Sequence, residues 1–228
     1  MRLASPQLPL EIGLSDTATL ENFFRRESLG ALLSAIDRLD PQELSYLHGG
    51  AAVGKSHLLQ ALCHRQEQAV YLPLASLADL PPEQLLDGLE QSSLLALDDA
   101  QQVAGNREWE EALFHLVNRA RTAGCQLWVA ASLPPYESGF QLPDLCSRLA
   151  GGVTWAMPPC DDEEKQAILS FRAQRRGLEL SPVVARYLCS RESRALDDLL
   201  AVLDRLDQAS MQLQRPLSVP LVKQVMGW

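Results

Sequence analysis

Positive charge is scarce in this chain and nowhere runs longer than Arg175-Arg176. Twenty lysines and arginines face 29 aspartates and glutamates, a net charge of −9. A surface that wraps DNA needs clustered cations to displace counterions from the phosphates, so direct sequence-specific DNA binding is not expected. Apolar runs long enough to cross a bilayer are missing, and Met1-Arg2-Leu3-Ala4-Ser5-Pro6 lacks the apolar region of a signal peptide. A cytoplasmic protein with no membrane role is the expectation. The five cysteines (Cys63, Cys125, Cys146, Cys160, Cys189) are odd in number and never at C-x-x-C spacing. Idle thiols in a reducing compartment fit better than disulfides or zinc. The four histidines lack ligand spacing, and no repeat or low-complexity tract occurs. Aromatics are few, and Trp109, Trp128, Trp155 and Trp228 read as core or interface fillers. What remains is ordinary: 46% hydrophobic and 21% charged over 228 residues, enough for one large domain with or without a small appendage.

The most informative stretch is Gly49-Gly50-Ala51-Ala52-Val53-Gly54-Lys55-Ser56, a complete G-x-x-x-x-G-K-[ST] loop. Its glycines let backbone N–H groups turn inward around a phosphate, Lys55 supplies a mobile cation, and the Ser56 hydroxyl can hold Mg²⁺. Before it stands the short apolar run Leu44-Ser45-Tyr46-Leu47, and after it Ser56–Leu62 reads as a helix. The loop thus ends at a helix N-terminus, where free amides and the dipole favour anions. Gly50, Ala51, Ala52, Val53, Gly54, Lys55 and Ser56 are the candidate phosphate ligands. His57 follows without chemistry of its own beyond a backbone N–H.

The order of elements predicts an α/β fold. Strand-like runs at 45–48, 69–74, 93–97, 126–131 and 153–157 alternate with helical stretches, the pattern of a parallel five-stranded sheet between helices. A first helix is expected from a cap at Asp16 or Thr17 through Ile36. From Asp161 onward the pattern is helical only. Asp161 with Glu164 forms a capping box for a helix to about Arg176, stopped by Gly177, and further helices start at Ser181-Pro182, Ala195 and Pro220. The expected partition is an arm at 1–15, an α/β core at 16–159 and a small all-helical lid at 160–228. Lys165, Arg172, Arg175 and Arg176 read as the solvated face of the first lid helix.

The second chemical element is Ser93-Leu94-Leu95-Ala96-Leu97-Asp98-Asp99, an apolar strand ending in paired acids. Beside a phosphate loop, Asp98 suits the Mg²⁺ shell and Asp99 suits orienting a water. Such a pair can equally cap the following loop, and Asp99 can serve only to shape the site.

These residues resemble the AAA+ modules of the DnaA clade. Gly49 to Ala61 is similar to the phosphate loop and first helix of that bacterial replication initiator, and Leu95 to Gln101 to its Asp-Asp-x-Gln box. Leu142-Pro143-Asp144-Leu145-Cys146-Ser147-Arg148-Leu149 resembles the segment carrying the arginine finger, and Arg194 falls where the second sensor arginine lies. The match runs in order across roughly residues 17 to 228. It implies a nucleotide-binding core with a lid, an adenine nucleotide (ADP or ATP) with Mg²⁺, and a first sensor near Ser132. A hydroxyl capping the strand end is an equal reading of Ser132. No recognition-helix pattern follows before Trp228, so the resemblance narrows to the short DnaA-related regulators that inhibit replication initiation. Gln7-Leu8-Pro9-Leu10-Glu11-Ile12 resembles the Gln-Leu-x-Leu-x-Leu peptide by which such proteins dock on the DNA polymerase sliding clamp. There Leu8, Leu10 and Ile12 would enter an apolar groove while Gln7 fixes register.

The resemblance implies a regulator with little or no ATPase of its own. Arg148 would act in trans on ATP held by the initiator DnaA, while the DNA-loaded clamp serves as platform. A salt bridge at a domain edge is the bland alternative for Arg148. A homo-oligomer is compatible with AAA+ assembly. Ala52 departs from the family, standing where a glycine is common. Two rivals remain: a self-contained AAA+ ATPase such as a helicase loader or transposition helper, and a P-loop kinase, which has no use for Arg148 or the Gln7 peptide.

Overall fold

The computed structural model describes residues 14–38, 44–191 and 195–228. Five short apolar runs become strands: β1 (Leu44–His48), β2 (Ala69–Pro73), β3 (Leu94–Asp98), β4 (Gln126–Ala131) and β5 (Val153–Ala156). All neighbours pair in parallel, in the order β2-β3-β4-β1-β5. The order puts β4 between β3 and β1, so the ends of these strands meet along one edge. Helices α1 (Gly30–Asp37), α2 (Lys55–His64), α3 (Pro82–Leu85), α4 (Arg107–Ala123) and α5 (Pro143–Ala150) surround the sheet.

Strand alternation divides the core into two layers. Tyr46, Leu95, Leu97, Leu127 and Val129 face one side and pack with Leu113 and Leu116 of α4 and Leu145 of α5. Leu47, Leu94, Ala96, Trp128 and Ala130 face the other, against Leu33 and Ile36 of α1 and Leu58, Leu59 and Leu62 of α2. Helix α4 is long because both ends are chemically marked. Asn106 caps its first turn through Glu108 N–H and Trp109 N–H, and Gly124, at φ +74°, stops it.

Beyond β5 lie α6 (Asp162–Arg175), α7 (Pro182–Arg191), α8 (Leu196–Leu213) and α9 (Val219–Met226), which close a separate apolar cluster around Leu169, Leu188, Leu203 and Leu221. The capping box at Asp161 and Glu164 forms as its spacing predicts.

The expected first helix does not form as one piece. Instead 3₁₀ turns at Leu20–Asn22 and Glu27–Leu29 precede α1, with Phe23 and Arg26 extended between them. Helical periodicity yields here to packing. Phe23 covers the phosphate loop while Phe24 sits edge-on to Phe171 of α6, 5.6 Å between centroids, two demands that one straight helix does not meet.

Candidate functional site

The phosphate loop joins β1 to α2, and its shape is enforced from outside. A Cβ at Gly49 would stand 2.2 Å from the Met157 carbonyl, so only glycine fits there. Gly49 N–H donates to the Ala131 carbonyl at 3.3 Å, fastening the loop to the end of β4. Gly54, at φ +97°, turns the chain into α2 directly beneath the Phe23 ring. Ala52 also adopts a left-handed conformation, φ +58°, which costs a residue with a Cβ roughly 1–2 kcal/mol.

Lys55 is only 8% exposed, and its ammonium donates to the carbonyls of Gly49 at 2.8 Å and Gly50 at 2.6 Å. Burial pushes its pKa down, while Asp98, Asp99 and Asp197 of α8 pull it back up. The first turn of α8 therefore stands within electrostatic reach of the loop. Ser56 is exposed on the first turn of α2. His57 turns away from the loop: its Nε2 meets the Thr19 carbonyl at 3.0 Å and its ring tilts on Phe23.

At the end of β3, Asp98 is fully buried with both carboxylate oxygens engaged. One accepts the Tyr71 hydroxyl at 2.8 Å and the other accepts Asp99 N–H at 2.9 Å. Burial, with the Asp98 charge second, raises the Tyr71 phenol well above its usual range, keeping it a donor. Asp99 is left-handed at φ +53°, and its carboxylate accepts from the Gln101 amide at 3.1 Å. Gln101 in turn accepts Ser132 N–H at 3.1 Å, so one side chain spans from the acidic turn to the end of β4. The phosphate loop, the two aspartates and Ser132 thus lie along the C-terminal edge of adjacent parallel strands, where α/β sheets take their ligands.

Among the described residues no group of three or more His, Cys, Asp or Glu side chains could enclose a metal ion. One hydroxyl (Ser56) and one carboxylate pair suit an ion that keeps its waters and rides on phosphate oxygens, as Mg²⁺ does.

The residues at 15–29 are wedged between core and lid. Ser15 N–H donates to Gln60 at 2.9 Å and its carbonyl meets His64 at 3.0 Å, both on α2. From the lid, Arg172 reaches the Asn22 carbonyl and Arg175 the Asn22 side chain, each at 3.1 Å. Arg26, 4% exposed, donates to the Pro158 carbonyl at 2.9 Å, pairs with Glu164 at 3.4 Å and points its other nitrogen at the Val53 carbonyl at 3.5 Å. These contacts correct the reading of α6 as solvated. Arg172 and Arg175 grip the wedge, Lys165 is buried beside Asp162, and Arg176 pairs with Asp204. The sequence held a hint in Asn22-Phe23-Phe24, two aromatics too many for a solvent-facing turn.

Arg148 stands on the exposed side of α5, whose other face buries Leu145, Cys146 and Leu149. Its carbonyl accepts Gly151 N–H at 3.2 Å, while its guanidinium makes no hydrogen bond or ion pair among the described residues. Arg194 and the Gln7, Leu8, Leu10 and Ile12 peptide lie outside the described residues.

A parallel sheet of order β2-β3-β4-β1-β5 with a phosphate loop after β1, acids after β3 and a helical lid defines an AAA+ module. Domain III of the replication initiation protein DnaA from Thermotoga maritima superposes with a TM-score of 0.77 over 94% of this chain and 98% of that one, at 20% identity. AMPPCP-bound DnaA from Aquifex aeolicus gives 0.73 over 87% of this chain and 68% of its own, at 22% identity. Residues 162–226 match the family model described as the Hda lid domain. An uncharacterised protein of Haemophilus influenzae is 39% identical over 97% of this chain and 98% of its own. The lid thus matches the Hda type, and the chain as a whole has the fold of the DnaA-related AAA+ proteins. No helix among the described residues is long and apolar enough to cross a membrane.

Proposed function

We propose that this protein is a negative regulator of replication initiation that stimulates hydrolysis of ATP bound to DnaA, with Arg148 as an arginine finger supplied in trans. The observation that carries this reading is Arg148 itself, exposed at the last turn of α5. No hydrogen bond or ion pair among the described residues uses this guanidinium. One left open is available to a neighbour's phosphates, where spreading transition-state charge over a planar cation can accelerate hydrolysis about 10³–10⁵-fold.

The protein's own site holds an adenine nucleotide, ADP or ATP. Loop amides from Gly50 to Ser56 surround its phosphates, and Lys55 leaves the carbonyls of Gly49 and Gly50 to meet them. Ser56 and Asp98 would hold Mg²⁺, which neutralises phosphate charge when bound. Asp99, presented by its left-handed backbone and steadied by Gln101, orients a water, and Ser132 senses the terminal phosphate. Arg194 would contact the nucleotide, and Asp197 of α8 stands within electrostatic reach of Lys55. Bound nucleotide then fixes the lid against the core through the 15–29 wedge. The Gln7, Leu8, Leu10 and Ile12 peptide docks on the DNA-loaded sliding clamp and couples inactivation to ongoing synthesis.

The decisive measurement is turnover of DnaA-bound ATP with this protein, with and without clamp loaded on DNA. Stimulation that needs both is expected. If DnaA hydrolysis is unmoved while this protein alone hydrolyses ATP briskly, and faster with single-stranded DNA, the helicase-loader reading replaces this one.

A further inference from the structure

Glu110 of α4 is a buried carboxylate, 2% exposed, that forms no ion pair among the described residues. It is instead filled by backbone. Its Oε1 accepts Gly105 N–H at 2.6 Å and Gln141 N–H at 3.0 Å, while its Oε2 accepts Gln141 N–H at 2.9 Å and Leu142 N–H at 2.6 Å. Three amides from two loops thus converge on one side chain. A carboxylate sunk this deeply without a cation is costly unless its charge is met by hydrogen bonds. Here these bonds tie the turn before α4 to the run that opens α5.

The position matters because α5 has no cap of its own. Leu142 is its N-cap residue and contributes no side-chain hydrogen bond, and Pro143 follows at the first helical position. Glu110 instead holds the two backbone amides that lead into α5, Gln141 and Leu142, at the end of the helix where the dipole favours negative charge. The charge is felt inside α5: burial first, and Glu110 second, push the Cys146 thiol up. Arg148 follows two residues later, in the last turn. An eight-residue helix clamped at its first turn and packed through Leu145, Cys146 and Leu149 has little freedom to swing its other end.

We infer that Glu110 is the positioning residue for Arg148, fixing the orientation of α5 from α4 without touching nucleotide or partner. The inference rests on the trans-acting role proposed for Arg148. Its structural half stands separately: the direction of α5 is set by the Glu110 carboxylate.

The test pairs E110Q with E110D. Glutamine keeps the shape but turns a carboxamide NH₂ toward backbone amides that need an acceptor, and aspartate keeps the charge but withdraws it by one methylene. Both should bind nucleotide with parental affinity. E110Q should lower the maximal rate of DnaA-bound ATP hydrolysis roughly ten- to a hundredfold, the scale on which a misplaced group costs rate. E110D should fall between. The double variant E110Q/R148A should be no slower than R148A, since both act through one guanidinium. Parental stimulation by E110Q, or a double variant well below R148A, overturns the inference. Hydrogen exchange keeps the two ideas apart. In E110Q, and more weakly in E110D, the amides of 141, 142 and 144–146 should exchange faster while those of α2 do not. Unchanged exchange there sinks the positioning role even if the parent stimulates DnaA. Faster exchange with no stimulation by the parent keeps the clamp on α5 and removes only the role given to Arg148.

Discussion

The phosphate loop and helix α5 each carry one cation the proposed chemistry needs, and they hold it in opposite ways. Lys55 is buried, with its ammonium on two carbonyls of its own loop and carboxylates of both core and lid within electrostatic reach. Arg148 is exposed, on a helix held through its buried face and through the backbone at its start. The loop is enforced by Met157 and Phe23 around fixed glycines, whereas α5 is enforced by one carboxylate from α4. A site that is complete within one chain can satisfy its cation internally. A group meant for another molecule must keep its side chain free and put its rigidity into the backbone beneath it.

The sharpest way to break this comparison is Lys55→Ala. Backbone amides alone hold phosphate less well than amides with a charge-assisted partner, so nucleotide binding should be lost in calorimetry. The fold should survive, because Met157 and Phe23 still shape the loop when the two Lys55 hydrogen bonds are gone. Unchanged affinity would remove the inward-facing half of the contrast.

The arm comes next. Replacing Leu8 and Leu10 together by alanine should abolish clamp binding, since groove anchors are often worth about 2 kcal/mol or more each. Nucleotide affinity should not change. Co-elution with the clamp at parental affinity would reduce residues 7–12 to a tail.

Arg148→Ala should then cost about 10²-fold in stimulated DnaA hydrolysis, or about 2.7 kcal/mol, with nucleotide and clamp binding intact. Lysine should rescue poorly, because a point charge does not reproduce a planar fork. Equal stimulation by the alanine variant would show that the exposed guanidinium serves no partner's phosphates.

The smallest effect concerns Ala52. Glycine there relieves about 1–2 kcal/mol of left-handed strain but loosens the unfolded chain by about 0.4–1 kcal/mol. The balance predicts a gain of roughly 0.5–1 kcal/mol, read as a slightly higher melting temperature. A lower melting temperature would mean the Ala52 backbone is not strained.

The sequence made the sheet legible because each strand is a short apolar run bounded by turn residues, and β1 to β5 fall within a residue or two of the runs that predict them. The Asp161–Glu164 box was equally local and formed as spaced. The broken helix at 16–36 was not legible, because Phe23 and Phe24 answer to the phosphate loop and to α6, far away in sequence. Arg172 and Arg175 misled for the same reason: polar periodicity does not reveal that a neighbour's carbonyl replaces water. Gln101 was in view within the Asp-Asp-x-Gln pattern, yet its bond to Ser132 N–H needs the strand order. Glu110 left no signal at all. Its partners are backbone amides, two of them more than thirty residues away, and backbone carries no letter in a sequence.

The anchoring of Ser15 on α2 has a consequence for distance. Gln60 and His64 pin the chain to the helix that begins at Lys55. Gln7 precedes Ser15 by eight residues, and a fully extended chain spans at most about 3.5 Å per residue, so Gln7 stays within about 28 Å of that pin. A body gripping the arm is therefore leashed, not merely bound. Anything else riding on that body would meet the AAA+ face at an effective concentration set by the length and stiffness of that leash, on the order of millimolar for a short one.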